Sequence, residues 1–154
     1  MDHKDHRDIG TLIAVDSDET YRDLMGAFAA AEFPEPKEAA DAQSLRAVLA
    51  SANLDLIVMS SHLGDDFVAP MITEVRRGKL GPHPFPIVVV VTEDKDQASL
   101  RQISSCGPDD IVTLPCEPAD LLARINVFLA GDRRPLVVNA GYAGPERRSK
   151  DRKD

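Results

Sequence analysis

The chain has 154 residues, of which 43% are hydrophobic, 29% charged and 5% aromatic, with a formal net charge of −8. That length suits one compact domain, and the apolar content excludes a disordered chain. The negative balance disfavours nonspecific binding of the body to nucleic acid, whose phosphates it repels.

No apolar run approaches the roughly 20 residues that cross a bilayer. The charged start "MDHKDHRDIG" also lacks the basic-then-apolar order of a secretion signal, so a cytoplasmic location without membrane contact is expected. Cys106 and Cys116 have neither metal nor disulfide spacing and read as free thiols.

In chain order, "TLIAVD" is a short apolar run rich in branched residues and predicts a strand. The helix after it places Tyr21, Leu24, Met25 and Phe28 at helical spacing, with Ser17 or Asp18 as its cap. "EPKEAAD" is a weak strand before a helix with Leu45, Val48 and Leu49 on one face, and "DLIVMS" is the third strand.

"FVAPMITEVRRGKL" predicts a helix with Met71, Ile72 and Val75 inward and Pro70 in its first turn, where proline is tolerated. Asp65 and Asp66, just ahead, are expected to begin that helix. "PIVVVVT" is the fourth strand, followed by a short polar helix that ends at Gly107. "DDIVTL" is the fifth, and the closing helix turns Leu121, Leu122, Ile125, Phe128 and Leu129 inward before Gly131.

Apolar strands of this continuity are buried on both faces, which implies a doubly wound α/β fold with a five-stranded parallel sheet. Function in such folds sits at the carboxyl ends of the strands. The expected organisation is a flexible 1–8, a domain over 9–131 and a tail over 132–154. Between Asp132 and Asp154 stand seven basic residues against four acids, a net of +3 that leaves −11 on the other 131 residues.

The order of motifs resembles a response-regulator receiver domain of the chemotaxis-regulator type over roughly residues 9–130, with a flavodoxin-like (βα)5 fold. "IAVDSDETYRDL" is similar to the family's first strand and acidic turn, "DLIVMSSHLGDD" to its phosphoacceptor strand, and "PIVVVVTE" to its threonine-bearing strand. "GPDDIVTLPCEPADLLARI" is the most specific match, with Gly107, Asp109, Asp110, Pro115, Leu121, Leu122 and Arg124 in the family's spacing. The resemblance also implies a cis bond between Leu114 and Pro115.

A receiver moves a phosphoryl group from a histidine kinase onto an aspartate. That chemistry needs a carboxylate nucleophile, two further acids that help hold a divalent cation, and a threonine and a lysine for the phosphoryl oxygens. Carried over by position, the first acid is Asp16, the second falls on Ser17, the nucleophile on Ser60, the threonine on Thr92 and the lysine on Leu114. Serine forms no acyl phosphate and brings no charge to magnesium, so a metal site is not expected unless Asp18 swings in. The family's aromatic switch position falls on Ile111, which has no polar tip to expose.

Other groups have plain readings. Thr92 suits a turn or cap at a strand end, and His62 has no partner at ligand spacing and reads as a polar loop residue. His3 and His6 belong to a terminus expected to be mobile. Ser60 and Ser61 are expected to be too buried for a serine kinase. Asp65 and Asp66 read as a helix start rather than a catalytic pair.

The tail "RRPLVVNAGYAGPERRSKDRKD" combines an apolar run, Tyr142 and the arginines Arg133, Arg134, Arg147 and Arg148. It is similar to tails that follow receiver domains in proteobacterial proteins. It reads either as a solvated end or as an extended segment that adds to a sheet edge or packs on a second subunit.

These residues imply a stand-alone, phosphorylation-independent pseudo-receiver, not an enzyme and without a cofactor. It would bind a histidine kinase or another regulator in bacterial two-component signalling through the fourth helix, fifth strand and fifth helix, with a homodimer also open. The alternative is a sensor of an anionic small molecule, such as a cyclic dinucleotide, through the arginine-rich tail. Specific DNA binding is not expected, because the 23 residues after Gly131 are too few for a helix-turn-helix reader.

Overall fold

The computed structural model describes residues 6–147. The elements are β1 (Thr11–Ala14), α1 (Asp18–Ala30), β2 (Lys37–Glu38), α2 (Ala42–Ser51), β3 (Leu56–Ser60), β4 (His62–Leu63), β5 (Asp66–Phe67) and α3 (Pro70–Arg76). They continue with β6 (Ile87–Thr92), α4 (Gln97–Ser104), β7 (Asp110–Thr113), α5 (Pro118–Leu129), β8 (Leu136–Asn139) and β9 (Tyr142–Pro145).

Five strands form one parallel sheet in the order β2-β1-β3-β6-β7, the doubly wound architecture expected from the continuous apolar runs. On β6, Val88 and Val90 face the cluster that holds Leu45, Leu49, Met71, Ile72, Val75 and Ile103. Val89 and Val91 face the opposite cluster with Leu24, Phe28, Leu121 and Ile125. Helices α2, α3 and α4 therefore cover one face, and α1 and α5 the other. All four valines are fully buried, worth roughly 1.5–3 kcal/mol apiece, and that explains why β6 carries no alternation.

Caps set most helix starts. Ser17 accepts from the Thr20 N–H at 3.2 Å, Asp41 and Ser44 form a reciprocal capping box, and Asp96 accepts from the Ser99 N–H at 3.1 Å. The expected start of the third helix is corrected: Asp65 and Asp66 lie in a tight hairpin, where His62 pairs with Phe67 and Leu63 with Asp66. Gly64, with φ of 61°, takes the left-handed turn position that favours glycine. The helix itself starts at Pro70.

A second correction concerns the amino-terminal segment. Residues 6–8 form a 3-10 turn, and the His6 ring stacks on Phe33 at 4.3 Å. Its Nδ1 pairs with the Ala31 carbonyl at 3.0 Å and its Nε2 with Asn126 Oδ1 at 2.8 Å. His6 is packed because α1, α5 and the turn converge on one aromatic seat. His3 lies outside the described residues.

Past α5 the chain is not simply solvated. Strands β8 and β9 form an antiparallel hairpin, and β9 lies against α3 with Ala143, Gly144 and Pro145 buried. Its anchor is electrostatic. Arg133 donates from Nε to Asp109 Oδ1 at 2.7 Å, and from its two terminal nitrogens to the Phe85 and Pro86 carbonyls at 2.8 Å each.

Arg76, essentially sealed from water, donates to Asp109 Oδ2 at 2.9 Å and to the carbonyls of Gly107, Pro84 and Pro86. The Val88 N–H completes the Asp109 carboxylate at 2.8 Å. Burial pulls the Arg76 pKa down and Asp109 pulls it up.

Replacing Asp109 strands a buried guanidinium, so Asp109→Ala is expected to lower unfolding free energy by about 3–5 kcal/mol. Ser17→Ala, which removes one exposed cap, costs only about 1 kcal/mol. Urea denaturation of the two variants beside the parent checks the ranking.

Candidate functional site

The five positions matched to the receiver pattern meet in space. Asp16 follows β1, Ser60 ends β3, Thr92 ends β6 and Leu114 follows β7. Together with Ser17, the fifth matched position, and with Ser61, His62 and Asp94, they line a cavity of about 330 Å³ at the carboxyl end of the sheet.

Its polar groups already satisfy one another. The Asp16 N–H donates to Ser60 Oγ at 2.9 Å, and Asp16 Oδ1 accepts from the Gly64 N–H at 2.9 Å. Ser61 Oγ lies 3.0 Å from Thr92 Oγ1 and 3.1 Å from His62 Nδ1. Thr92 Oγ1 accepts from the Asp94 N–H at 3.1 Å, the local turn bond expected of a strand-end threonine. Ser17 Oγ is held by its cap. Ser60 and Ser61 are 8% and 3% exposed, which agrees with the expectation that an enzyme could not reach them.

Two consequences follow for chemistry. The carboxylates on the lining are Asp16, Glu93 and Asp94, and no lysine or arginine lines it, so a phosphoryl group entering here meets like charge. Magnesium wants several hard anionic oxygens in near-octahedral order. The matched positions supply only Asp16 to such a set, and the other two carboxylates of the lining, Glu93 and Asp94, belong to the loop after β6 rather than to the turn after β1. Among the described residues no three histidine, cysteine or acidic side chains converge to hold a metal.

Ile111 is partly buried against the α2 and α3 side of the core. With Leu100, Arg101, Ser104 and Thr113 it lines a shallow groove of about 380 Å³ between α4 and β7. A larger opening of about 830 Å³ adjoins it and includes Phe128, Arg133, Arg134, Tyr142 and Arg147.

The hairpin's arginines are committed to protein acceptors. Arg134 donates to the Glu146 carbonyl at 3.1 Å, and Arg147 to the Ser104 carbonyl at 3.3 Å. Arg147 also stacks over the Tyr142 ring at 4.3 Å, and burial pushes that phenol's pKa up. Arg148 lies outside the described residues. Sequence reasoning missed Arg76 altogether and took Asp109 only as a motif match.

A further cavity of about 500 Å³ opens beside the first, between α1 and the turn after β7, and Cys116 lines it. The Leu114-Pro115 bond in that turn is cis, as the resemblance implied.

This sheet topology is the receiver fold of response regulators. No family model matches the chain. It is 30% identical over 146 residues to protein PetR of Rhodobacter capsulatus, covering 92% of this chain and 58% of that one. It is 27% identical over 134 residues to regulatory protein VanRc of Enterococcus gallinarum, covering 87% and 54%. The chain thus spans little more than half the length of these curated relatives.

Among solved structures it is similar to the response regulator DrrB of Thermotoga maritima, with a TM-score of 0.67 at 20% identity over 84% of this chain and 57% of that one. A CheY-like receiver domain protein of Methanospirillum hungatei gives a TM-score of 0.67 at 20% identity, over 79% and 94%.

The two cysteines provide a check on the site's geometry. Burial pushes the Cys106 thiol up to about 11, whereas Cys116 is half-exposed at the cavity mouth. Iodoacetamide at pH 8 is expected to label Cys116 at least about tenfold faster than Cys106, since the thiolate is the reactive form. Peptide mass spectrometry against time reads the ratio.

Proposed function

We propose that the chain is a phosphorylation-independent pseudo-receiver that works by binding alone, as a cytoplasmic protein-interaction module in bacterial two-component signalling. The observation that carries this reading is the content of the strand-end cavity. Five phosphotransfer positions converge there, yet they contribute one carboxylate, Asp16, which the Gly64 N–H already holds.

Its partner is a histidine kinase or another regulator, and a second copy of the chain is a further candidate. The binding face is the one formed by α4, β7 and α5, where Leu100 and Ile111 offer an apolar groove. Ile111 serves there as a contact residue rather than as a switch.

Support over an anion sensor comes from the arginines. Arg133, Arg134 and Arg147 donate to Asp109 and to backbone carbonyls, and Asp109, Asp110, Asp132 and Glu146 share the lining of the opening beside them. A phosphate there would have to displace these bonds and face four carboxylates.

The test is amide NMR of the full chain with beryllofluoride and magnesium, and separately with acetyl phosphate and magnesium. The expected result is unchanged resonances around Ser60, Ser61 and Thr92. Saturable shifts confined to those residues would overturn the reading.

A further inference from the structure

Helix α4 is the least embedded of the five. It has eight residues, of which only Ile103 is buried, whereas the seven residues of α3 bury Met71, Ile72, Val75 and Arg76. A helix this short is unstable in water without tertiary support. At its carboxyl end the chain is held from two sides, by α3, where Thr73 Oγ1 donates to the Cys106 carbonyl at 3.0 Å and Arg76 Nε to the Gly107 carbonyl at 2.9 Å, and by the β8–β9 hairpin.

Three contacts bracket the stretch from Ser104 to Asp109. Arg147 donates to the carbonyl of Ser104, the last residue of α4. At Gly107 the two backbones touch: a Cβ there would sit 2.2 Å from the Ala143 carbonyl oxygen, and one on Gly144 would sit 2.6 Å from the Gly107 Cα. At the far end Arg133 holds Asp109, the residue before β7.

The hairpin is also closed on itself, through Glu146 N–H to Pro135 O and through Asn139 Oδ1, which accepts from the N–H groups of Gly141 and Tyr142. Two strands alone are marginal in water, so its order depends on being docked.

We propose that the β8–β9 hairpin is a docking strap whose attachment keeps α4 and the α4–β7 loop ordered, and so sets the shape of the groove at Leu100 and Ile111. Detachment converts that face from a formed groove to a locally unfolded segment. The inference goes beyond the proposed binding role and does not depend on whether the strand-end cavity accepts phosphate.

Hydrogen exchange with mass spectrometry tests it on the full chain. Gly144→Val drives a side chain into Gly107 and into the Tyr142 ring, so it loosens the seat from the hairpin side with no substitution in α4 or β7, and Arg133→Gln removes the latch. Val138→Ser, at a site 59% exposed on the outer strand, is the control.

The expected result is that amides of residues 97–109 exchange about tenfold faster or more in both test variants. Those of β1, β3 and α1 keep the parent's rates, and the control behaves as the parent. If Arg133→Gln unfolds the whole chain, Gly144→Val decides.

Faster exchange in the hairpin with 97–109 unchanged overturns the proposal, as does acceleration of β1 and β3 together with α4 in Gly144→Val. So does a parent hairpin whose amides exchange at unstructured-peptide rates, or a Gly144→Val chain that shows no change.

Discussion

A carboxylate sealed from water has to be paired, because an isolated buried charge costs several kcal/mol, and the side chain of Asp109 is 1% exposed. Its two partners come from opposite ends of the chain's second half, Arg76 from α3 and Arg133 from beyond α5. Two cations on one anion leave a surplus positive charge, which the carbonyls of Pro84, Phe85, Pro86 and Gly107 offset. The end of α3, the loop into β6, the start of β7 and the hairpin are thereby tied at one point. The amino-terminal end of the sheet owes its order to that knot as much as to apolar packing.

The carboxyl end of the sheet is built on the opposite principle. Around Ser60 and Thr92 hydroxyls, two backbone amides and the His62 ring bond to one another at 2.9–3.1 Å. Among the described residues no buried side-chain polar atom there lacks a hydrogen-bond partner. The strand ends of the sheet thus share one crevice, lined by hydroxyls as well as by the carboxylates of Asp16, Glu93 and Asp94. Ser61, one residue beyond the matched Ser60, makes the bond to Thr92 that ties β3 to β6 there.

The sheet and its helices were legible because burial on two faces forces continuous apolar runs such as "IVVVV", and because amphipathic helices repeat at 3.6 residues. The convergence of Asp16, Ser17, Ser60, Thr92 and Leu114 was legible because strand ends in this topology share one edge. Asp65 and Asp66 were misread because acids mark helix starts and tight turns alike. The two residues Gly64-Asp65 between His62-Leu63 and Asp66-Phe67 were the discriminating signal.

Arg76 had no such signal. It differs from its neighbour Arg77 only in helix phase, and its partner Asp109 lies 33 residues away. His6 was hidden for the same reason, since its contact to Asn126 spans 120 residues. Long-range polar pairing leaves no periodicity to read.

The stretch Pro84-Phe85-Pro86 has only one N–H among its three residues, that of Phe85, which is turned to His83 Nδ1. Its three carbonyls all face the guanidiniums, so the segment works as an open crown of oxygens around a flat, forked cation. A crown of that shape discriminates by geometry as well as by charge. An ammonium at position 133 would carry the same charge but, as a compact head, could not span Asp109 and two successive carbonyls at once. The chain is therefore selective at this seat for arginine over lysine.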